Sequence, residues 1–439
     1  MDLTELRHFR VATCDLNGQM RGKWVPGAYG AKLESGALRM PLSAANVDLW
    51  GADIADSPLL FKTGDADGIL RPTERGVVPA PWAQAETALV PMVLHNEDGT
   101  AFDGDPRHAL ARVLDRYAAR SWTVLAATEL EFTLVDASGD SLRPPLNPLT
   151  GQRLEHPAVL SLAEMDGFEG FFNDLYDACA AMDIPAQAGI SESGIGQFEV
   201  NLTHQYAMRC ADDTWLFKTL ARGLARKHGF AASFMAKPYA EDAGNGMHVH
   251  FSVLDRDGRN IFDDGSAEGT DTLRHAVAGC LAAAPASNLI FAPHGNSYDR
   301  LVPGAHAPTG LCWAYENRTA AIRIPGGPPA ARRIEHRVAG ADINPYLLLS
   351  ALLGAALTGI EDQTSPLAPI SGNAYEIDGL PQLCTSLEVA VTLFERDPLI
   401  ARVFKPDLIR NLCLTKRQEI AGFATRPPET HWRSYVECV

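Results

Sequence analysis

The sequence has no CxxC pair, no GxxxxGK[ST] loop, no internal repeat, no low-complexity tract and no excess of basic residues. Each absence removes a class. Without the phosphate-cradling glycine loop, any nucleotide chemistry is not that of a P-loop enzyme. With 38 Lys and Arg against 54 Asp and Glu, the net charge is −16, which argues against nucleic acid or an anionic membrane as partner. The eight cysteines are scattered and read as free thiols in a reducing cytoplasm, not as a disulfide or zinc framework. The longest apolar run, "PYLLLSALLGAALTGI", is too short and too interrupted by glycine for a membrane span. It predicts a buried helix capped by Asn344 with Pro345 at its first position. The opening "MDLTELRHFRVA" is charged and lacks the apolar stretch of a signal peptide, so a cytoplasmic location is expected.

What is present is a globular composition, 46% hydrophobic over 439 residues, enough for two domains or one with an appendage. Residues 1–104 hold short strand-like runs ("HFRVATCDL", "ALVPMVLH") broken by Gly, Pro and Asp turns. From Pro106 the texture changes to alternating strands and helices. Helices are expected near 106–122, 168–182, 212–228, 270–284 and 386–403. Strands are expected near 123–134, 186–202, 230–237, 247–254, 319–325 and 332–338. The fold class is therefore α+β, with a small β-rich N-terminal domain (1–104) and a larger α+β domain (105–439).

Several of these strands carry one apolar face and one ionisable face. In "TVLAATELEFTL" Glu129 and Glu131 point one way, and Leu130, Phe132 and Leu134 the other. Gln197 and Glu199 share a face in "SESGIGQFEVNL", with Glu192 just before a glycine-rich kink. His248, His250 and Ser252 share a face in "GNGMHVHFSV", and Arg333, Glu335 and Arg337 in "RRIEHRV". Arg318 and Arg323 flank the apolar strand of "ENRTAAIRIP". Taken singly, such faces are usually solvated. Brought together, they make a sheet curled around a polar cleft. Two carboxylates 4 Å apart repel by about 4 kcal/mol at an effective dielectric near 20, so five in one cleft require cations. Carboxylates with one imidazole suit Mg²⁺ or Mn²⁺ better than zinc. Arginines beside such ions are the equipment of phosphoryl transfer from a nucleotide.

Taken in order, "ELEF", "ESGIGQFEVNL", "FMAKP", "GNGMHVHFSV", "NSYDRLVPG", "ENRTAAIRIP" and "ARRIEHRVAGADINPYLLLSALLGA" resemble glutamine synthetase of the bacterial type I class, over most of the chain from about 105. "RVATCDLNGQMRGKWVP" also looks like that family's β-grasp N-terminal domain. The resemblance implies a catalytic domain whose curved antiparallel sheet forms half a barrel flanked by helices. It implies a dodecamer of two hexameric rings, with each active site closed by a neighbour's N-terminal domain. It implies two to three Mg²⁺ or Mn²⁺ ions per site. Glu131, Glu192 and Glu199 match the ligands of one ion, and Glu129, His248 and Glu335 those of a second that bridges ATP phosphates. His250, Ser252 and Arg333 match nucleotide-binding positions, and Gly244, Arg300 and Arg337 glutamate-binding ones. Arg318, Arg323 and Arg337 match the residues that hold the transferring phosphate. The implied reaction joins the γ-carboxylate of glutamate to an amine through γ-glutamyl phosphate, with ATP as co-substrate.

The departures concern the amine. Glutamine synthetases hold ammonium with a Glu two residues after the glycine of "RLVPG"; here that position is His306. They also use an Asp from the neighbour's N-terminal domain; the corresponding stretch here, "MPLSAAN", has no acid. Ala243 replaces an Asn before the glycine of the histidine strand. Such a pattern resembles the γ-glutamyl amine ligases of the family, with His306 as a pocket or proton-accepting residue. A true glutamine synthetase is the second reading, and a non-catalytic assembly protein of the same fold the third. Tyr375 lies where some family members are adenylylated, and reads as a surface tyrosine.

Overall fold

The computed structural model describes residues 1–304 and 307–439. The N-terminal turn-rich region folds as expected into short strands: β1 (His8–Cys14), β2 (Met20–Pro26), β3 (Arg39–Pro41), β4 (Asp67–Pro72), β5 (Val78–Pro79) and β6 (Ala88–His95). They form one sheet in the order β2-β1-β6-β4-β3, with β5 beside β6. The β1–β6 pair runs parallel. Phe9, Leu70, Ala88, Val90 and Leu94, all buried, form its core.

The second sheet has eight strands and is mixed and barrel-like. Its members are β7 (Thr123–Val135), β8 (Ala186–Ser191), β9 (Gln197–Tyr206), β10 (Ala231–Ser233), β11 (Met247–Leu254), β12 (Trp313–Tyr315), β13 (Ile322–Ile324) and β14 (Ile334–His336). The order is β12-β13-β14-β11-β7-β9-β8, with β10 on β7. The antiparallel expectation holds except for β12 and β13, which pair in parallel. Alternation explains the layering. Leu130, Phe132, Phe198, Val200, Val249 and Phe251 are buried on one face, against helices Ala207–Lys227, Asp271–Phe291 and Pro345–Glu361. The ionisable face is left to the cleft.

Pro345–Glu361 is the buried helix expected from the apolar run. Asn344 caps it, accepting from Tyr346 N at 3.0 Å and Leu347 N at 3.2 Å, and donates to Asp15 O at 2.8 Å, tying the β1–β2 turn to the helix. No helix among the described residues is long and apolar enough to cross a membrane.

Three elements differ from expectation. The helix expected to end at 284 runs to Phe291 through Pro285, whose missing N–H removes one bond without stopping it. The helix expected over 386–403 is two, Leu387–Arg396 and Pro398–Val403, broken where Asp397 caps the second at Pro398. A helix at Pro406–Ala424 was not anticipated. Its inward face carries Asn411, Thr415, Lys416 and Glu419, all buried, so its apolar stripe is interrupted. Those polar groups meet loops of the N-terminal region. Asn17 donates to Glu419 at 2.8 Å, Lys416 to Asn17 at 2.6 Å, and Leu49 N to Glu419 at 2.8 Å.

Candidate active site

Strand register assembles the site. Glu131 stands opposite Glu199 across β7–β9, and Glu129 opposite His248 across β7–β11. His250 stands opposite Glu335 across β11–β14, and Glu335 opposite Arg323 across β13–β14. Residues from five strands thus converge on one cleft.

Glu129 is the hub. His248 Nδ1 lies 3.0 Å from one of its oxygens and His250 Nε2 2.9 Å from the other. Arg333 Nε donates to His250 Nδ1 at 3.2 Å, so His250 presents its Nε2–H to Glu129. Burial pushes the Glu129 carboxyl up, but the bonds from the two histidines pull it well below the usual carboxylate range. Burial, with Arg337 nearby, lowers His248. At Glu335 burial is likewise outweighed, by Arg337, His248, His250 and Arg323, whereas Glu199 and Glu131 shift the other way. Burial, reinforced by Glu129, Glu131 and Glu192, pushes Glu199 up to about 9. Burial raises Glu131 to about 7, against a 2.6 Å bond from Gly246 N. Carboxylates held back from ionising by burial and by one another, as Glu199 is, fit a divalent cation, which supplies the charge they lack. Ligand atoms of Glu129, Glu199 and His248 lie close enough to share one ion, as do those of Glu129, His250 and Glu335.

Glu335, fully buried, is clamped between Arg323 Nη1 at 2.7 Å and Arg337 Nη1. Arg337 Nε also donates to the Arg318 carbonyl at 3.1 Å, while the Arg318 side chain is exposed. Glu335 is thus held by arginines on one side and offered to Glu129 and His250 on the other.

Arg300 is buried and donates to Val338 O at 2.8 Å. Gly244 passes so close to the backbone that only glycine fits, and Gly246 leaves room for the Arg300 guanidinium. A Cβ at 244 would lie 2.4 Å from Ala236 O, and one at 246 would lie 2.6 Å from Arg300 Nη2. A cleft of about 610 Å³ opens beside the carboxylates, lined by Glu129, Asn201, His250, Ser252, Asn260 and Arg333. His250, Ser252 and Arg333, expected at nucleotide positions, thus share one cavity. His306 lies outside the described residues.

Three residues were given no role from sequence. Gln197 donates to Glu131 at 3.3 Å and to Gly244 O at 2.9 Å, linking the carboxylates to the glycine segment. Its place on the Glu199 face was the available signal. Asn201, opposite Glu129, has a buried Oδ1 with no partner among the described residues. Tyr375 is half-buried, not a plain surface residue. Its hydroxyl donates to Ala307 O at 3.0 Å, and its phenol, raised by burial, feels Arg300 and Arg337.

The carboxylate repulsion has a measurable consequence. Glu199→Gln in the metal-free protein is expected to raise Tm by roughly 2 °C or more, and to remove most of the Tm gain that Mg²⁺ gives the parent. Because the folded-state pKa of Glu199 lies above the ordinary 4.5, protonation stabilises the metal-free fold. That contribution is full below pH 4.5 and is lost as the pH rises toward 9, so the Tm gain should grow over that window. Differential scanning fluorimetry with and without Mg²⁺ checks both signs.

Residues 103–435 match the family model described as glutamine synthetase, catalytic domain. Gamma-glutamylputrescine synthetase PuuA of Escherichia coli K12 is 36% identical over 375 residues, 84% of this chain and 79% of that protein. Gamma-glutamylethanolamide synthetase GlnA4 of Streptomyces coelicolor is 33% identical over 78% of this chain and 73% of its own length. Several glutamine synthetases match at 30–32%. A solved GmaS/ADP complex superposes with a TM-score of 0.84 at 27% identity, covering 99% of this chain and 98% of that one. With register, clefts and family model in agreement, the chain belongs to the glutamine synthetase family.

Proposed function

We propose that the protein is an ATP-dependent ligase that joins the γ-carboxylate of glutamate to an organic amine. The observation that carries this reading is the pairing of an intact carboxylate–histidine–arginine cleft with the absence, at positions 306 and 40–46, of the acids that hold ammonium in glutamine synthetases. The likeness to synthetases of γ-glutamylputrescine and γ-glutamylethanolamide supports it.

In this reading Glu131, Glu192 and Glu199 hold one Mg²⁺ or Mn²⁺, and Glu129, His248 and Glu335 a second, with His250 within reach. When bound there, such ions would offset phosphate charge. His250, Ser252 and Arg333 hold ATP in the 610 Å³ cleft. Arg300 and the Gly244 backbone fix glutamate. The γ-carboxylate oxygen attacks the γ-phosphorus of ATP and ADP leaves, giving γ-glutamyl phosphate. Arg337, Arg323 and Arg318 offset the charge on the transferring group. The amine then attacks the acyl carbon, phosphate departs, and the amine nitrogen gives up its proton. His306 is the group we assign to accepting that proton or shaping the pocket. A neutral imidazole tolerates an alkyl amine where a carboxylate would select a small cation. Glutamate- and amine-dependent ADP release, with the amide product identified by mass, tests the assignment. ADP release with ammonium alone among amines would point to the second reading, a glutamine synthetase.

The division at residue 104/105 into a β-grasp unit and a catalytic unit, a cytoplasmic location, and assembly into a two-ring dodecamer belong to the same proposal. The exposed Leu149, Val159, Leu160 and Leu162 support the last, since apolar side chains gathered on one segment are a contact surface. Light scattering is expected to give a mass near twelve chains. An active monomer would contradict it.

A further inference from the structure

The residues expected to hold glutamate come from two separate places, the glycine segment Gly244–Gly246 and the four-residue helix Ser297–Arg300. The Arg300 turn cannot hold its own position, because a single helical turn has almost no intrinsic stability. The glycine segment is fixed on one side by the buried Asn245, whose amide donates to Met235 O at 2.9 Å and accepts from Thr133 Oγ1 at 3.1 Å. Yet a displacement of about 1 Å at a substrate contact is enough to lose much of its effect. Something must set their separation.

Both are referenced to one loop, residues 338–344. The glycine segment is bound to it through the backbone: Ala341 N donates to Asn245 O at 3.0 Å, Met247 N to Ala339 O at 2.9 Å, and Gly246 bridges Gly340. The Arg300 turn is bound at both ends. Arg300 Nη1 donates to Val338 O at 2.8 Å, and at the other end Ser297 Oγ donates to Asp342 Oδ2 at 2.5 Å. Ser297 Oγ also accepts from His294 N at 3.0 Å, so the hydroxyl joins the incoming chain to the loop. The loop is in turn fixed from below. Lys218 Nζ donates to Ala341 O at 2.7 Å and Ile343 O at 3.1 Å, the two carbonyls flanking Asp342. Ser297, Asp342 and Lys218 are all buried, so these bonds are not exchanged with water.

We propose that Asp342, acting through Ser297, is the positioning residue of the glutamate site. It holds the turn bearing Arg300 at a set distance from the Gly244 backbone, with Lys218 stiffening the loop between them. The inference rests on the reading of Arg300 and Gly244 as glutamate contacts. Asp342 touches no substrate; it acts only through the groups it orients. None of these groups lines the 610 Å³ cleft read as the nucleotide site.

The test is direct titration of glutamate into protein loaded with Mg²⁺ and ADP, by calorimetry, which requires no amine. Ser297→Ala is expected to weaken glutamate binding tenfold or more while ADP affinity stays within twofold. Ser297→Thr, which keeps the hydroxyl, should bind glutamate within threefold of the parent, and Asp342→Ala, which removes the acceptor, should follow Ser297→Ala. Glutamate affinity within twofold of the parent in Ser297→Ala would overturn the proposal. So would glutamate and ADP affinities falling together, the sign of a general loss of structure. Arg300→Ala is the control for the underlying reading: if it binds glutamate like the parent, both the site assignment and this inference fall. Amide formation is scored separately. A parent that binds glutamate but forms no amide overturns the amine assignment alone, and the positioning role is still decided by the titration.

Discussion

Replacing Glu129 with alanine is expected to abolish ligation, lowering kcat/KM by roughly 10³-fold or more, the scale expected when charge stabilisation of phosphoryl transfer is lost. Glu129 is held below the usual carboxylate range by His248 at 3.0 Å and His250 at 2.9 Å, which favour its ionised form against burial. It also belongs to both sets of ligand atoms that could share an ion. Removing it takes a ligand from the second metal position and leaves two histidines without their acceptor. The fold should survive, because the Glu129 side chain is 28% exposed and faces the cleft, not the core. Circular dichroism, Mg²⁺ calorimetry and initial rates on the same preparation check the three parts. Activity within threefold of the parent would refute the metal assignment.

The second large effect is expected at Arg337. Its guanidinium bonds Glu335 with one nitrogen and the Arg318 carbonyl, at 3.1 Å, with another. It therefore joins the strand carrying a candidate ligand to the loop carrying Arg318. Lysine keeps the charge but cannot reach two acceptors in one plane. Arg337→Lys should reduce kcat by roughly 10²–10³-fold, as loss of one preorganised donor to a transition state does. KM for ATP should change little, because Arg337 does not line the nucleotide cleft. Steady-state kinetics with ATP varied at saturating glutamate separates the two parameters. A change confined to KM for ATP would place Arg337 in nucleotide binding instead.

The cleft was legible in the sequence for a simple reason. A strand alternates, and side chains of opposite character on alternate positions fix which face is buried. Glu129/Leu130/Glu131/Phe132 and His248/Val249/His250/Phe251 leave no ambiguity, and the structure places all of them as the alternation requires. What alternation cannot give is register, which depends on which strands pair. The standing of Glu131 against Glu199, or the clamping of Glu335 by two arginines, emerges only when the sheet is assembled. Tyr375 was misjudged on the same ground. Its hydroxyl meets the Ala307 carbonyl, brought near by the fold across 68 residues of chain. The helix Pro406–Ala424 was missed because a buried polar cluster, Lys416 with Glu419 and Asn17, occupies the face where apolar residues were sought. Sequence patterns report burial of apolar groups well and burial of paired charges poorly.

The claim on which the account turns is the identity of the amine. In the cleft Glu129 is bonded by histidines, Glu335 by arginines and Glu131 by Gly246 N and Gln197, and the sequence places His306 where an ammonium-binding Glu stands in glutamine synthetases. The decisive measurement is kcat/KM for ammonium beside putrescine, ethanolamine, methylamine, isopropylamine and aniline, at saturating ATP, Mg²⁺ and glutamate. The account predicts that at least one organic amine exceeds ammonium by tenfold or more. Ammonium as the best substrate of that panel would contradict it and make the protein a glutamine synthetase.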